Sequence, residues 1–232
     1  MNYFIFMIII FNLSFCFSQE TKKVIVKKCI DHSEILYDTI TLNKNKIYLY
    51  KSTEAIYNTE SDLSVQLDSV YIKQDNDCYY IQLDDNNNLI LKDTLSEKSD
   101  ADYTDYELKG YYKELGLYVF MIKHLETSEY IIVNKSNGQI YKTWGIPKFS
   151  NDKIHFFSFA DALGYDVMPN GLQYCELNKN KFTVIWEYNI EKFIPQEIKV
   201  LSKNRLLIKG LIPSYLSKSS KEEYIYIKMD YK

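Results

Sequence analysis

The chain has 232 residues, of which 46% are hydrophobic and 25% charged, a composition typical of a globular protein with a well-buried core. Its formal net charge of -3 provides no basic field of the kind that nucleic-acid binding requires, so we expect no nucleic-acid partner. Tyr and Phe are abundant, with 22 and 12 residues against 7 Gly and 4 Pro. Because aromatic rings suit a half-buried pleated surface, this bias favours β-strands.

The N-terminal segment predicts export. Residues 3–17 are almost entirely apolar, a run shorter than the roughly 20 residues that span a bilayer as a helix, and polar residues follow from Ser18. This pattern predicts a secretory signal over residues 1–18 and a periplasmic or secreted domain over residues 19–232, with no transmembrane span after cleavage. A lipid anchor at Cys16 is the alternative, although Phe15 replaces the small residue that usually precedes such a cysteine.

Three cysteines follow this signal, at Cys29, Cys78 and Cys175. An odd number in an exported chain allows one disulfide and one unpaired thiol. Cys175 lies within a predicted strand, so Cys29 and Cys78 are the preferred pair, and three unpaired thiols are the alternative. The spacing of the cysteines does not match that of a zinc site.

Short alternating runs predict strands in the first half of the domain, at residues 24–30, 46–52 and 69–75. Two further runs, at residues 78–84 and 88–93, flank a polar turn and predict a hairpin. The acidic segment 93–107 has no periodicity. It contains closely spaced Asp100, Asp102 and Asp105 but lacks the Gly and the closing Glu of a calcium loop, so a solvated loop is predicted.

The pattern is more regular after Gly116. Strands are predicted at residues 117–123, 129–134, 139–144 and 154–159, followed by two strands on either side of a polar turn at residues 178–181. The dipeptide Ile-Pro occurs twice, and the 48 residues that separate Pro147 from Pro195 are close to the length of a propeller blade, roughly 40–50 residues.

The turn PKFSNDK at residues 147–153 resembles the Pro-x-Phe/Trp-Ser-x-Asp-Gly/Lys turn of WD40-like, TolB-type β-propeller repeats. The stretch GYDVMPNGLQ at residues 164–173 is similar to a Gly-Tyr-Asn/Asp-x-Asn-Gly-Ile/Leu-Gln-x-Trp segment found in a group of exported bacterial proteins of uncharacterised function. Here the loop has one extra residue, and Cys175 lies near the position of the aromatic residue. The resemblance covers residues 117–209 and implies a fold but no activity, since propellers include enzymes, receptors and scaffolds.

We therefore expect an all-β protein with propeller-like antiparallel blades that form a small or incomplete propeller. The repeats are clearest from about residue 117 to residue 210. A two-sheet β-sandwich would give a similar strand spacing and is the alternative.

The loop at residues 160–170 is the candidate ligand site. Its carboxylate and amide oxygens suit a polar ligand or a calcium ion, its glycines allow tight turns, and its tyrosine offers a stacking face. Alternatively, the Asp and Asn side chains cap the loop backbone. No other cofactor is predicted. The candidate residues are Asp161, Gly164, Tyr165, Asp166, Asn170 and Gly171.

A set of tyrosines elsewhere offers faces for stacking on a glycan, although alternate residues of a strand face the core, which favours packing for most of them. These residues are Tyr79, Tyr80, Tyr103, Tyr106, Tyr111 and Tyr112.

No local motif predicts catalysis. Residues 29–34 contain every residue type of a hydrolytic triad, but neighbouring residues of a strand point to opposite faces. We therefore predict a binding or scaffold protein of the cell envelope without catalytic activity, which recognises a protein or glycan partner through blade-edge loops. The alternative is a hydrolase of envelope carbohydrate or peptide, which requires a deep cleft with converging titratable groups.

Overall fold

The computed structural model describes residues 35–42, 45–94, 103–162, 169–217 and 221–231. The predicted signal segment, the strand predicted at residues 24–30 and the cluster at residues 29–34 lie outside these ranges. The described residues belong to one compact unit, Glu34–Lys232. No helix among them is long and apolar enough to cross a membrane.

The described ranges contain sixteen strands and one short helix. In chain order they are β1 (Leu36–Leu42), β2 (Asn45–Lys51), α1 (Glu54–Thr59), β3 (Gln74–Asp75), β4 (Cys78–Gln82), β5 (Asn88–Lys92), β6 (Asp105–Tyr112), β7 (Leu117–Lys123), β8 (Ser128–Asn134), β9 (Ile140–Thr143), β10 (Lys148–Phe149), β11 (His155–Asp161), β12 (Asn170–Asn178), β13 (Lys181–Asn189), β14 (Ile194–Ser202), β15 (Arg205–Ile212) and β16 (Glu223–Tyr231).

These strands form four antiparallel sheets, none of which closes on itself. The first sheet has the order β3-β4-β5, the second β6-β7-β8-β9, the third β10-β11-β12-β13 and the fourth β1-β2-β16-β15-β14. The fourth sheet takes strands from both ends of the described chain, because β2 pairs with β16. The all-β class is therefore confirmed, whereas a two-sheet sandwich does not describe the four sheets of these residues.

Three hydrophobic clusters join the sheets in chain order. Buried side chains of β4 and β5 pack against those of β7 and β8, which joins the first sheet to the second. Other side chains of β7 and β8 pack against β11 and β12. The third cluster contains Phe157 and Trp186 from the third sheet together with Leu49, Ile208 and Met229 from the fourth. Each sheet thus buries apolar residues against the next one along the chain.

The segment 62–68 crosses the edges of three sheets without forming a strand. Leu63 donates its N–H to a carbonyl of β14 at 2.8 Å, and Val65 donates its N–H to a carbonyl of β10 at 2.7 Å. Asp68 exchanges two backbone hydrogen bonds with Tyr111 of β6, at 3.1 and 2.9 Å. The segment therefore satisfies edge groups of the fourth, third and second sheets.

Two predictions in the first half of the domain are corrected. The strand predicted at residues 69–75 is formed only at Gln74–Asp75. Asn76 and Asp77 have φ of 48° and 60°, the left-handed conformation of a two-residue hairpin turn, so the chain reverses at once into β4. The acidic segment predicted as a loop ends in β6, which begins at Asp105. Asp100 and Asp102 lie outside the described residues.

The remaining strand predictions within the described ranges agree with the structure to within a few residues. The hairpin β4–β5 turns at the predicted polar residues, and β12 and β13 are separated by a turn at residues 179–180. The turn at residues 147–153 connects β10 to β11 within the third sheet.

Candidate functional site

The predicted ligand loop leaves one strand and enters its neighbour. Asp161 is the last residue of β11 and is paired in register with Asn170, the first residue of β12. Gly164, Tyr165 and Asp166 lie outside the described residues. The structure therefore places the two ends of the loop side by side at one end of the third sheet.

Asn170 and Gly171 have structural roles at this position. The Asn170 side chain is buried, and its Nδ2 donates to the Ile190 carbonyl at 2.5 Å and to the Phe193 carbonyl at 3.0 Å. A Cβ on Gly171 would collide with the Tyr188 carbonyl oxygen, so only glycine allows β12 and β13 to approach this closely. These contacts give both residues a structural role, whereas the buried Oδ1 of Asn170 has no hydrogen-bond partner among the described residues.

Within the described ranges, no group of three His, Cys, Asp or Glu residues could hold a metal ion. The calcium hypothesis also requires Asp166, which lies outside those ranges, so it stays a prediction.

A cavity of about 390 Å³ lies beside Asp161, and we call it the Asp161 cavity. Its walls come from β8, the β9–β10 connection, the end of β11 and the middle of β14. Three aromatic residues and two acidic residues stand out in this wall, namely Tyr130, Trp144, Phe159, Asp161 and Glu197. Only Asp161 belongs to the site predicted from the sequence.

Several contacts fix the aromatic wall. The backbone N–H of Trp144 donates to Oε1 of the buried Gln173 at 3.3 Å, and the hydroxyl of Ser158 donates to the same oxygen at 3.0 Å. Gly145 lies so close to β11 that a Cβ would collide with the carbonyl oxygen of Phe159. The β9–β10 connection is therefore held firmly against β11, which fixes the backbone position of this part of the cavity wall.

The charges of the Asp161 cavity are predominantly acidic. Asp161 and Glu197 are exposed carboxylates. Lys148 also reaches the cavity, but its Nζ donates to Asp62 Oδ2 and to the Ile198 carbonyl, both at 2.8 Å, so its charge is already compensated. Burial raises the pKa of Tyr130, and the nearby carboxylate of Asp161 raises it further, which keeps the phenol protonated.

Ser150, Asp152 and His155 come together in the turn between β10 and β11, but not as a catalytic triad. Asp152 Oδ1 accepts from the Ser150 hydroxyl at 2.6 Å, and Oδ2 lies 2.6 Å from His155 Nδ1. In a hydrolytic triad the histidine lies between the serine and the carboxylate. Here the carboxylate lies between the other two, so the group stabilises the turn.

Three of the six tyrosines of the predicted platform pack against the protein core. Tyr79 contacts Phe120 edge-on with ring centroids 5.2 Å apart, Tyr106 packs against the cluster between the first two sheets, and Tyr112 is buried. Tyr80 and Tyr111 are partly exposed. The packing interpretation is thus confirmed for the first three tyrosines.

Cys78 and Cys175 are buried and do not pair with each other. Burial raises the pKa of the Cys175 thiol, which keeps it protonated and unreactive. Cys29 lies outside the described residues, so its pairing with Cys78 stays a prediction.

Sequence reasoning missed Tyr130, Trp144, Phe159 and Glu197, because they come together only through the packing of separate sheets. One available signal was the repeated Ile-Pro dipeptide, since Ile146-Pro147 and Ile194-Pro195 lie within two residues of cavity-lining positions in two different walls.

Comparisons with protein-family models, with curated proteins and with solved structures find no match for this chain. Its own geometry and chemistry are therefore the basis for a functional proposal.

Proposed function

We propose that this chain is an exported, non-catalytic binding protein of the cell envelope, and that it engages a partner protein through the Asp161 cavity. One observation carries this proposal: three aromatic side chains and two exposed carboxylates line the same cavity. Aromatic faces attract a cation through the ring quadrupole, and carboxylates attract it through their charge. A Lys or Arg side chain of the partner is therefore the group that fits best.

The size of the cavity suits a side chain better than a large molecule. Its volume of about 390 Å³ is near the lower end of the range for ligand sites, roughly 300–1,000 Å³. Phe159, Trp144 and Tyr130 offer apolar surface for the aliphatic stem of the lysine or arginine. The acidic residues Asp161 and Glu197 then receive the charged head.

A propeller-like arrangement of the sheets is part of the same proposal. In support, the described chain forms four consecutive antiparallel sheets of three to five strands, and its first strands complete the last sheet. The turn at residues 147–153 connects neighbouring strands of one sheet, as in the repeats that it resembles. Export rests on the apolar residues 3–17, with lipid attachment at Cys16 as the alternative.

Titration of the mature protein with short lysine- and arginine-containing peptides tests the binding proposal. We expect Asp161→Asn/Glu197→Gln to weaken binding by about tenfold or more, because two charge-assisted contacts are lost. Glu191→Gln removes an exposed carboxylate outside the cavity and should leave the affinity unchanged. Equal affinity of the parent and the folded double variant, or binding of glycans in place of basic peptides at this cavity, would refute the assignment of a basic partner.

The two carboxylates also make a hydrolase the second candidate, since a pair of acidic side chains in one cleft can act as general acid and base. Turnover of envelope glycans or peptides that is abolished separately by Asp161→Asn and by Glu197→Gln would favour this candidate. It would also replace the non-catalytic proposal.

A further inference from the structure

A second concave surface, of about 510 Å³, lies between the first and second sheets. It is formed by residues 71–73, by β4 and the turn after it, and by Tyr118 and Lys135. We call it the Tyr71 groove. None of the residues that line it also lines the Asp161 cavity.

Three tyrosines provide aromatic faces in this groove. Tyr71 is 86% exposed, so most of its ring is available to a ligand. Tyr118 is stacked on Tyr111 with ring centroids 4.3 Å apart, which fixes the orientation of its ring. Lys73 Nζ lies 5.8 Å from the ring centroid of Tyr80. The groove therefore combines the exposed ring of Tyr71 with the rings of Tyr118 and Tyr80, each of which contacts a neighbouring side chain.

Polar side chains surround these rings. Lys135 Nζ forms an ion pair with Asp84 Oδ1 at 3.1 Å, and the backbone N–H of Asp84 donates to the Lys135 carbonyl at 3.1 Å. These two contacts connect the turn after β4 to the turn after β8. The amides of Gln82 and Asn86 are exposed nearby. The groove rim thus offers both hydrogen-bond donors and acceptors, and contacts between turns of the first and second sheets hold it in place.

We propose that the Tyr71 groove binds a carbohydrate chain. The apolar face of a sugar ring stacks on an exposed aromatic side chain, while amide, carboxylate and ammonium groups bond to its hydroxyls. Lys73, Lys135 and Asp84 leave one net positive charge in the groove lining, which disfavours a cationic ligand. The volume lies within the range for small-ligand sites, roughly 300–1,000 Å³. This site is independent of the partner proposed for the Asp161 cavity.

Binding of defined oligosaccharides to the mature protein tests this proposal. The probes are chitohexaose, cellohexaose and maltohexaose, measured by calorimetry and by saturation-transfer NMR. We expect at least one of them to bind, and Tyr71→Ala to weaken that binding about tenfold, the loss typical of an aromatic stacking contact. Because Tyr71 is exposed, the variant should keep the stability of the parent.

Tyr215→Ala is the matched control, since Tyr215 is 71% exposed and lies outside the groove. It should leave oligosaccharide affinity unchanged, as should Asp161→Asn, which separates this site from the Asp161 cavity. Absence of binding for all three probes at millimolar concentration would overturn the proposal. An equal loss in the Tyr71→Ala and Tyr215→Ala variants would do the same.

Discussion

At the scale of single residues, Asp152 shows how one carboxylate organises a turn. Its Oδ1 accepts hydrogen bonds from the Ser150 hydroxyl and from the backbone N–H groups of Ile154 and His155, at 2.6–3.0 Å. Its Oδ2 lies 2.6 Å from the His155 ring. Burial by itself raises the pKa of this carboxyl, but the hydrogen bonds outweigh burial and hold the pKa at about 2.

We expect Asp152→Asn to lower the free energy of unfolding by about 1–2 kcal/mol at neutral pH, because the neutral amide accepts these hydrogen bonds less strongly. The folded-state pKa lies below the ordinary value of 3.8, so this stabilisation is complete above that value and is lost as the pH falls through about 2. Urea unfolding at about pH 7, 4 and 2.5 should therefore show the difference between parent and variant shrinking.

The exposed Asp75 provides the control for this experiment, since Asp75→Asn should change stability little at any pH. A difference between Asp152→Asn and the parent that stays constant from neutral to acidic pH would contradict the role assigned to the carboxylate. The result would then indicate that only the shape of the Asp152 side chain matters.

At the scale of elements, Asp62 fastens the segment 62–68 to two sheets. Its Oδ1 accepts from the backbone N–H groups of Ser64 at 3.1 Å and Val200 at 2.9 Å, and its Oδ2 accepts from Lys148 Nζ at 2.8 Å. Burial raises the pKa of Asp62, but Lys148 and the N–H donors lower it by more, so the carboxylate is ionised at neutral pH.

We expect Asp62→Ala to destabilise the protein by about 2 kcal/mol, because it leaves the Val200 N–H without its partner and removes the carboxylate that compensates the charge of Lys148. Lys148→Met should lower the free energy of unfolding by less than Asp62→Ala does, since the N–H donors still bind Asp62. In a double-mutant cycle, Asp62→Ala/Lys148→Met should be more stable than the sum of the single changes predicts, by about 1 kcal/mol. Strict additivity in urea unfolding would mean that the ion pair contributes nothing to the attachment.

The elements that were predicted correctly from the sequence are those whose signal lies in residues adjacent in the chain. The hairpin β4–β5 and the turn at residues 147–153 depend on residues adjacent in the chain, and both are present. The segment 62–68 has no such signal, because Asp62 finds its partners 86 and 138 residues away. The strand predicted at residues 69–75 failed for the opposite reason. Its alternation is real, but among the described residues the pairing with β4 extends over Gln74 and Asp75, and the Lys73 carbonyl accepts one further hydrogen bond from the Tyr80 N–H at 3.2 Å.

The candidate sites, like the strands, could be predicted from the sequence only where adjacent residues carry the signal. The sequence drew attention to Asp161 because Asp and Gly residues cluster around it, but the other walls of its cavity come from β8, the β9–β10 connection and β14. Tyr71 was not among the tyrosines predicted to bind a glycan, because alternation within a predicted strand cannot distinguish a packed ring from a projecting one. Only the packing of two sheets shows that Tyr71 projects while Tyr79 is covered by Phe120.

At the scale of the whole molecule, the connection of β2 to β16 makes the two ends of the described chain parts of one sheet. The same sheet packs against the third sheet through a cluster that contains Leu49 of β2 and Trp186 of β13. Trp186 also lies 6.0 Å from Tyr231 of β16, measured between ring centroids. The third and fourth sheets should therefore unfold together, although they are formed by distant parts of the chain.

Leu49→Ala tests this cooperativity. Leu49 is 1% exposed, so its truncation should lower the free energy of unfolding by about 2–4 kcal/mol. In a Trp144→Phe background, Trp186 is the remaining tryptophan and reports on the third sheet, whereas circular dichroism reports on all strands. Because the cluster joins both sheets, we expect Leu49→Ala to shift the two denaturation midpoints equally. Ile90→Ala is the control, and it should shift neither midpoint because Ile90 of β5 is 52% exposed. A circular dichroism transition that precedes the change in Trp186 emission would contradict this cooperativity, because part of the strand structure would then unfold before the cluster around Trp186.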